Sequence, residues 1–213
     1  MIHLVLGGAR SGKSSFAEQL CFSLRVQNQA DNKADNQSRQ KPIYIATAQA
    51  FDDEMQRRIA KHQKDREDLW QLVECPLMLN DAISDALSQL QSQQPLQGSS
   101  VILIDCLTLW LNNVIFEFGD NARQEDIDLY SEQLLTALAP YANKQGMDIV
   151  LVANEVGLGV VPLGKVSRLF VDNAGWLNQR IAAVADSVIL ITAGIPLTLK
   201  GNGRRQNSGA GND

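Results

Sequence analysis

The chain has 213 residues, a length that suits one α/β domain. Hydrophobic residues make up 45% of it and charged residues 20%, as in a globular protein with a substantial core. The net charge of −5 argues against a nucleic-acid partner, and no apolar run is long enough to span a bilayer. The three cysteines have no metal-ligand spacing and no signal-peptide pattern is present, so we expect a cytoplasmic protein.

Apolar runs alternate with helical patterns, which predicts an α/β fold with a mostly parallel sheet flanked by helices. Strands are predicted at Ile2–Leu6, Pro42–Thr47, Gln71–Glu74, Val101–Asp105, Asp148–Ala153 and Ser187–Thr192, with a short C-terminal antiparallel strand at Leu197–Lys200. Helices are predicted at Lys13–Arg25, Asp52–Asp65, Leu79–Gln91, Leu107–Phe118, Gln124–Asn143 and Lys165–Ala185. We expect a single domain over residues 1–200, with a mobile polar surface insert at 27–40 and a disordered tail at 201–213.

The first predicted strand runs into a glycine-rich segment that opens the first predicted helix. This segment, Gly7-Gly8-Ala9-Arg10-Ser11-Gly12-Lys13-Ser14, fits the phosphate-loop pattern GxxxxGK followed by serine or threonine. Glycines let backbone N–H groups point at phosphate oxygens, and the helix N-terminus adds its positive dipole end. Lys13 supplies a charge to the β- and γ-phosphates, and the Ser14 hydroxyl serves Mg²⁺. The segment therefore predicts binding of a nucleoside triphosphate, but not the base or the reaction.

Three acidic residues lie at or just after the carboxyl ends of predicted strands, where ligands bind in open α/β sheets. Asp105 closes the run from Val101 and is placed like a Walker B acid, which holds Mg²⁺ through water. Glu74 ends the third strand, and Glu155 follows the fifth as a candidate acid or base. The alternative for each is a solvated acid or a helix cap. Position favours a functional role for Asp105 and leaves Glu74 and Glu155 open.

The chain has two histidines, and His62 is the candidate of interest. His3 sits inside the first predicted strand as a packed or edge residue. Around His62 the predicted helix starts acidic and turns basic, as a helix dipole prefers, and Arg58 and Arg66 lie four residues to either side. Neighbouring cations favour the neutral imidazole, which can act as a nucleophile. From spacing alone, a surface helix that carries one histidine remains the favoured interpretation.

Several segments taken in order carry a more specific signal. They are GGARSGKS, YIATA from Tyr44, DDEM from Asp52 with Arg58, His62 and Arg66 behind it, IDCLTLWL from Ile104, NEVGLGVVP from Asn154, and the region Asp172–Asp186. Over about Met1 to Lys200, this combination closely resembles the bifunctional adenosylcobinamide kinase/adenosylcobinamide-phosphate guanylyltransferase family of cobalamin biosynthesis. The polar insert and the tail have no counterpart in that family.

The resemblance implies a RecA-like P-loop NTPase fold, a homotrimer, and two reactions at one nucleotide site. First, ATP or GTP phosphorylates adenosylcobinamide. Then GTP reacts with adenosylcobinamide phosphate to give adenosylcobinamide-GDP and pyrophosphate, through a GMP-histidine intermediate that matches His62. Mg²⁺ accompanies the nucleotide, as in other phosphoryl transfers.

The resemblance also assigns a nucleotide site beyond the phosphate loop. The matching residues are Ala46, Thr47, Ala48, Gln63, Lys64, Asp65, Arg66, Glu74 and Asp105. A carboxylate can pair with the guanine N1–H and N2–H groups. Glu74 and Asp105 therefore remain alternatives for reading the base or serving the metal.

The sequence departs from the family at a few positions, and two rival functions stay open. Val171 and Trp176 stand where family members often carry arginine, and Lys61 stands where some relatives have a second histidine. His62 is then the only candidate nucleophile. One rival is a monofunctional P-loop small-molecule kinase that forms no nucleotidyl-enzyme. The other is a RecA-like or GTPase switch that turns over nucleotide without a corrinoid acceptor.

Overall fold

The computed structural model describes residues 1–27, 41–49, 68–92 and 100–201. In chain order the elements are β1 (Ile2–Gly7), α1 (Lys13–Gln27), β2 (Ile43–Ala46), β3 (Gln71–Glu74), α2 (Leu79–Ser92), β4 (Ser100–Asp105), α3 (Leu107–Phe118), α4 (Gln124–Leu138), β5 (Met147–Asn154), α5 (Lys165–Val184), β6 (Ser187–Thr192) and β7 (Ile195–Lys200). Short 3₁₀ turns at Gly119–Asn121 and Ala139–Tyr141 flank α4. The predicted helix at Asp52–Asp65 lies outside the described residues, as do nearly all of the polar insert and of the tail.

The strands form one seven-stranded sheet in the order β3-β2-β4-β5-β1-β6-β7. Neighbouring strands run parallel, except for the antiparallel hairpin of β6 and β7. All six predicted strands are present and pair in parallel, although the one predicted at Pro42–Thr47 is limited to Ile43–Ala46. The predicted C-terminal strand is present as β7. The prediction of an α/β fold with a C-terminal antiparallel strand is confirmed.

The two faces of the sheet pack against different helices. On one face Val5, Tyr44 and Leu103 belong to the same buried cluster as Ala17 and Cys21 of α1. The other face packs against α2, α3, α4 and α5. The neighbouring strands β1 and β5 therefore lead into helices on opposite faces. Such a divergence opens a crevice at the carboxyl edge of the sheet, which is where ligands bind in this class of fold.

The largest error among the predicted boundaries is at α4, whose prediction as Gln124–Asn143 is wrong at its C-terminus. The helix ends at Leu138, and Ala139–Tyr141 continues as a 3₁₀ turn. Pro140 explains the early end because it has no N–H group for the next α-helical hydrogen bond. The last strand starts two residues earlier than Leu197, since a tight turn lets pairing begin at Ile195. Other described boundaries differ from prediction by at most two residues.

His3 is a packed residue of the interior strand β1 and not an edge residue. Its Nδ1 lies 2.8 Å from Ser187 Oγ and its Nε2 lies 3.0 Å from Asp148 Oδ1. These partners stand on the strands to either side, near the amino ends of the sheet. The imidazole therefore connects three strands at the edge opposite the phosphate loop, which makes its role structural.

The state of the cysteines and the apolarity of the helices bear on two further predictions. Cys21, Cys75 and Cys106 are all buried and free, as expected from their apolar surroundings. Within the described ranges, no helix has the length and apolarity needed to cross a bilayer.

Candidate nucleotide site

The phosphate loop joins β1 to α1 at the carboxyl edge of the sheet, and its first glycine is required by close packing. A Cβ atom on Gly7 would lie 2.5 Å from Ser11 Oγ and 2.7 Å from the carbonyl oxygen of Ile191. The second atom is backbone in β6 and cannot swing away. Arg10 and Gly12 then adopt positive φ angles of 57° and 93°, which curl the chain back on itself. The predicted glycine-rich loop thus has the tight, inward-turned backbone that phosphate binding needs.

Lys13 is folded over this loop. Its Nζ donates a hydrogen bond to the carbonyl oxygen of Gly8 at 3.2 Å, and the residue is buried although it is a lysine. Lysine is rarely buried without a partner for its charge. Ser14, in the first turn of α1, is half-buried beside it. The Lys13 ammonium is therefore held at the loop, and Ser14 follows it in the first turn of the helix.

Segments that follow both neighbouring strands hold the loop. On the β5 side, the Glu155 N–H donates to the Gly7 carbonyl at 3.2 Å. On the β6 side, the Gly194 N–H donates to the Ser11 carbonyl at 2.9 Å. The Glu155 carboxylate accepts a hydrogen bond from the Gly157 N–H at 2.8 Å, so it stabilises its own turn next to the loop. The sequence indicated Glu155 because of its carboxylate, but it did not reveal the backbone hydrogen bonds that Glu155 and Gly194 donate to the loop.

The strand-end acids Glu74 and Asp105 lie in one row of the sheet. Both are paired in register with Ala46, Glu74 from β3 and Asp105 from β4. Asp105 is half-buried, and its Oδ2 accepts a hydrogen bond from the Tyr44 hydroxyl at 2.8 Å. Glu74 is exposed at the end of β3. Two of the predicted acids are therefore brought to the same edge, and Tyr44 is a partner that the sequence did not reveal.

Thr47 holds the backbone that follows Asp105. Its hydroxyl donates to the Cys106 carbonyl at 2.7 Å and accepts from the Cys106 N–H at 2.9 Å. The side-chain amide of Asn113 then donates to the Thr47 and Pro76 carbonyls at 2.8 and 3.0 Å. Because the Thr47 hydroxyl is buried and takes part in both hydrogen bonds with Cys106, it positions the backbone after Asp105. The polar pair Asn112-Asn113 within a mostly apolar helix is the sequence pattern that could have indicated Asn113.

The thiol nearest the site is unreactive. Burial, together with the smaller effect of the neighbouring Asp105 charge, raises the pKa of Cys106 to about 11. Its Sγ accepts a hydrogen bond from the Leu109 N–H at the start of α3. At neutral pH this thiol is protonated, so it caps a helix and does not serve as a nucleophile.

The oxygen atoms of Ser14 and Asp105 suit an Mg²⁺ ion that takes its other ligands from nucleotide and water. They are too few for a metal site built from protein ligands alone. Among the residues that the structure describes, no group of three His, Cys, Asp or Glu side chains could hold a metal ion. Mg²⁺ in nucleotide sites usually takes one or two oxygen ligands from the protein and the rest from phosphates and water. Ser14 and Asp105 can provide such oxygens, since the Tyr44 bond uses only part of the capacity of the Asp105 carboxylate.

Several predicted site residues fall outside the described part of the chain. They are His62, Gln63, Lys64, Asp65 and Arg66. Ala46 and Ala48 are described and lie at the carboxyl end of β2, on either side of Thr47. The structure therefore brings together the phosphate loop, the Ala46–Ala48 segment, Glu74 and Asp105 at one edge of the sheet.

Comparisons with known proteins agree on one family. Residues 3–199 match the family model described as CobU, cobinamide kinase / cobinamide phosphate guanyltransferase. The "Bifunctional adenosylcobalamin biosynthesis protein CobP" of Pseudomonas aeruginosa is 42% identical over 201 residues, which cover 94% of this chain and 98% of that protein. The proteins named CobU from Escherichia coli K12 and Salmonella typhimurium are each 34% identical over 205 residues, covering 94% of this chain and all of theirs.

Proposed function

Because this chain belongs to the cobinamide kinase / cobinamide phosphate guanyltransferase family, we propose that it carries out both reactions on adenosylcobinamide at one nucleotide site. The first transfers the γ-phosphoryl group of ATP or GTP to the acceptor hydroxyl. The second transfers GMP from GTP to the resulting phosphate and releases pyrophosphate. The observation that carries the proposal is the phosphate loop, with Lys13 buried against it, at the same edge as Asp105.

The residues of the phosphate loop and of β4 have specific roles in this proposal. Lys13 and the backbone N–H groups of the loop bind the β- and γ-phosphates and offset their charge. Ser14 and Asp105 would hold Mg²⁺, which would neutralise the negative charge that develops on the leaving phosphates. The bond from Tyr44 orients the Asp105 carboxylate for that task.

Strand spacing separates the roles of the two acids. Neighbouring strands lie about 4.8 Å apart, so β4 is about 10 Å from β1 and β3 is about 19 Å from it. An acid about 19 Å from the phosphate loop cannot serve an ion bound at the loop. We infer that Glu74 reads the guanine base at the far end of an extended GTP and that Asp105 serves the metal.

His62 is the proposed nucleophile of the second reaction. One imidazole nitrogen attacks the α-phosphorus of GTP, a P–N bond forms, and pyrophosphate leaves. An oxygen of adenosylcobinamide phosphate then attacks the same phosphorus, which gives adenosylcobinamide-GDP and restores the imidazole. A covalent intermediate divides one displacement between two anions into two easier steps.

The test is transfer of label from GTP to the protein. After incubation with MgGTP labelled at the α-phosphate, we expect acid-labile, alkali-stable label on the wild-type chain and none on His62→Ala. His3→Gln is the matched control because it changes the other histidine, whose contacts are structural. Label that persists in His62→Ala would exclude this nucleophile. Phosphorylation of adenosylcobinamide without any label would identify a monofunctional kinase.

We also propose a cytoplasmic homotrimer. The free thiols of all three cysteines support a reducing compartment. An exposed apolar stripe on β7, formed by Ile195, Leu197 and Leu199, supports burial against another subunit.

A further inference from the structure

The hairpin turn between β6 and β7 touches the phosphate loop directly. Thr192 and Ile195 pair across this turn, and its two central residues, Ala193 and Gly194, have φ angles of 51° and 79°. The Gly194 N–H donates to the Ser11 carbonyl at 2.9 Å. A Cβ atom built on Gly12 would lie 3.5 Å from the Gly194 Cα. The turn is thus hydrogen-bonded to the loop and lies close beside Gly12.

This hydrogen bond determines which way one peptide unit of the loop faces. The Ser11–Gly12 peptide bond is trans, so its C=O and N–H groups point in opposite directions. Because the Ser11 carbonyl points at the Gly194 N–H, the Gly12 N–H points away from the hairpin. In a phosphate loop, N–H groups turned to the inner side are the ones that bind phosphate. The contact therefore selects the binding orientation of this peptide.

The hairpin is itself anchored to the rest of the molecule, so it can hold the phosphate loop in place. Its first strand, β6, pairs with β1 inside the sheet. Lys200, at the end of β7, donates hydrogen bonds to the Ala182 and Ala183 carbonyls at 2.9 and 2.8 Å. Those two carbonyls belong to the last turn of α5. Both strands that flank the turn at Gly194 are thus anchored, β6 by β1 and β7 by the C-terminus of α5.

We propose that Gly194 is a positioning residue for phosphate binding, acting through the Ser11–Gly12 peptide. It needs no contact with the nucleotide. Its required features are an N–H group and a positive φ angle, and a β-branched residue tolerates that angle poorly. The proposal rests on the proposed function only in the choice of MgGTP as the ligand to measure.

Gly146 offers a matched control for Gly194. It has a φ angle of 83°, and a Cβ atom would meet open space at either position. Gly146 lies at the amino edge of the sheet, where its carbonyl accepts a hydrogen bond from Ser100. Valine at either position therefore introduces the same kind of backbone strain, but only the change at position 194 reaches the phosphate loop.

The experiment measures the Kd for MgGTP and for guanosine in the full chain, together with the melting temperature. We expect Gly194→Val to weaken MgGTP binding by about tenfold, the effect of losing one hydrogen bond to a charged group, and to leave guanosine binding unchanged. Gly146→Val should lose similar thermal stability and keep the wild-type Kd for MgGTP. Gly194→Asn keeps the N–H group and tolerates positive φ, so it should recover most of the affinity.

Three results would overturn the proposal. They are wild-type MgGTP affinity in Gly194→Val, an equal loss in Gly146→Val, and an equal loss of guanosine binding. If Gly194→Val fails to fold, the milder strain of Gly194→Ala provides the same comparison. A wild-type chain that binds MgGTP but does not phosphorylate adenosylcobinamide would contradict the proposed function and leave this inference intact.

Discussion

At the scale of single residues, Gly7 and Gly8 are adjacent glycines with opposite constraints. A Cβ atom on Gly7 would collide with the Ile191 carbonyl and Ser11 Oγ, whereas a Cβ atom on Gly8 would meet nothing within 4 Å. The motif requires a glycine only at the first of these positions, and the structure supplies the physical reason.

We therefore predict that Gly7→Ala lowers the free energy of unfolding by about 1–3 kcal/mol, as overpacking does. Gly8→Ala is the control and should change it by less than about 1 kcal/mol. Urea denaturation of the nucleotide-free protein measures both values. Equal effects of the two substitutions would show that the contact with Ile191 relaxes without cost.

Cys106 should make stability depend on alkaline pH. Burial raises the pKa of this thiol from 9.0 to about 11 in the folded protein. Between these values the unfolded chain loses the proton while the folded chain keeps it, so the unfolded state gains stability. The stabilising contribution is complete below pH 9 and is lost as the pH rises through about 11.

We predict that the unfolding free energy of the wild type falls by about 2–3 kcal/mol more than that of Cys106→Ser between these pH values. Serine keeps the helix cap and does not ionise in this range. Chemical denaturation along a pH series measures the difference. Parallel pH profiles for the two proteins would contradict the prediction, since Cys21 and Cys75 contribute equally to both.

At the scale of elements, the β6–β7 hairpin has one unfavourable residue. Both central positions of its turn have positive φ, the geometry of a type I′ turn, for which Asn-Gly is the preferred pair. Here the first position is Ala193, and alanine is strained at that angle.

Ala193→Asn should therefore stabilise the protein by about 0.5–1 kcal/mol. The control is Ala139→Asn, because Ala139 is also exposed but has a φ angle of −50°. Thermal unfolding of the three proteins makes the comparison. A gain at both positions would indicate a general surface effect and not relief of turn strain.

At the scale of the whole molecule, the edge strand β7 carries exposed apolar side chains. Ile195, Leu197 and Leu199 are 69%, 57% and 55% exposed and alternate along β7, so they form one stripe. An uncovered apolar edge strand invites association. The proposed homotrimer would bury this stripe.

Leu197→Lys should then shift the protein from trimer to monomer, because a charge in an apolar interface is costly to bury. Leu129→Lys is the matched control, since Leu129 on α4 is also 57% exposed. Light scattering gives the molar mass of each variant. A monomeric wild type, or a trimer that survives Leu197→Lys but not Leu129→Lys, would exclude β7 as the interface.

The sequence by itself determined the features that depend on neighbouring residues. The glycine pattern of residues 7–14 predicted the phosphate loop, and the apolar periodicity predicted the strands because backbone and side-chain preferences act over a few residues. Where local pattern was misread, as at Pro140, the error was also local. The order of motifs was sufficient to identify the family.

Only the tertiary structure decided which distant residues meet. The strand order placed Glu74 and Asp105 in one row with Ala46 and put about 10 Å between their strands. It also brought Tyr44 to Asp105 and Gly194 to Ser11, contacts between residues 61 and 183 positions apart that no local pattern encodes. Such contacts depend on how the whole sheet and its helices pack, because packing selects among many locally acceptable arrangements.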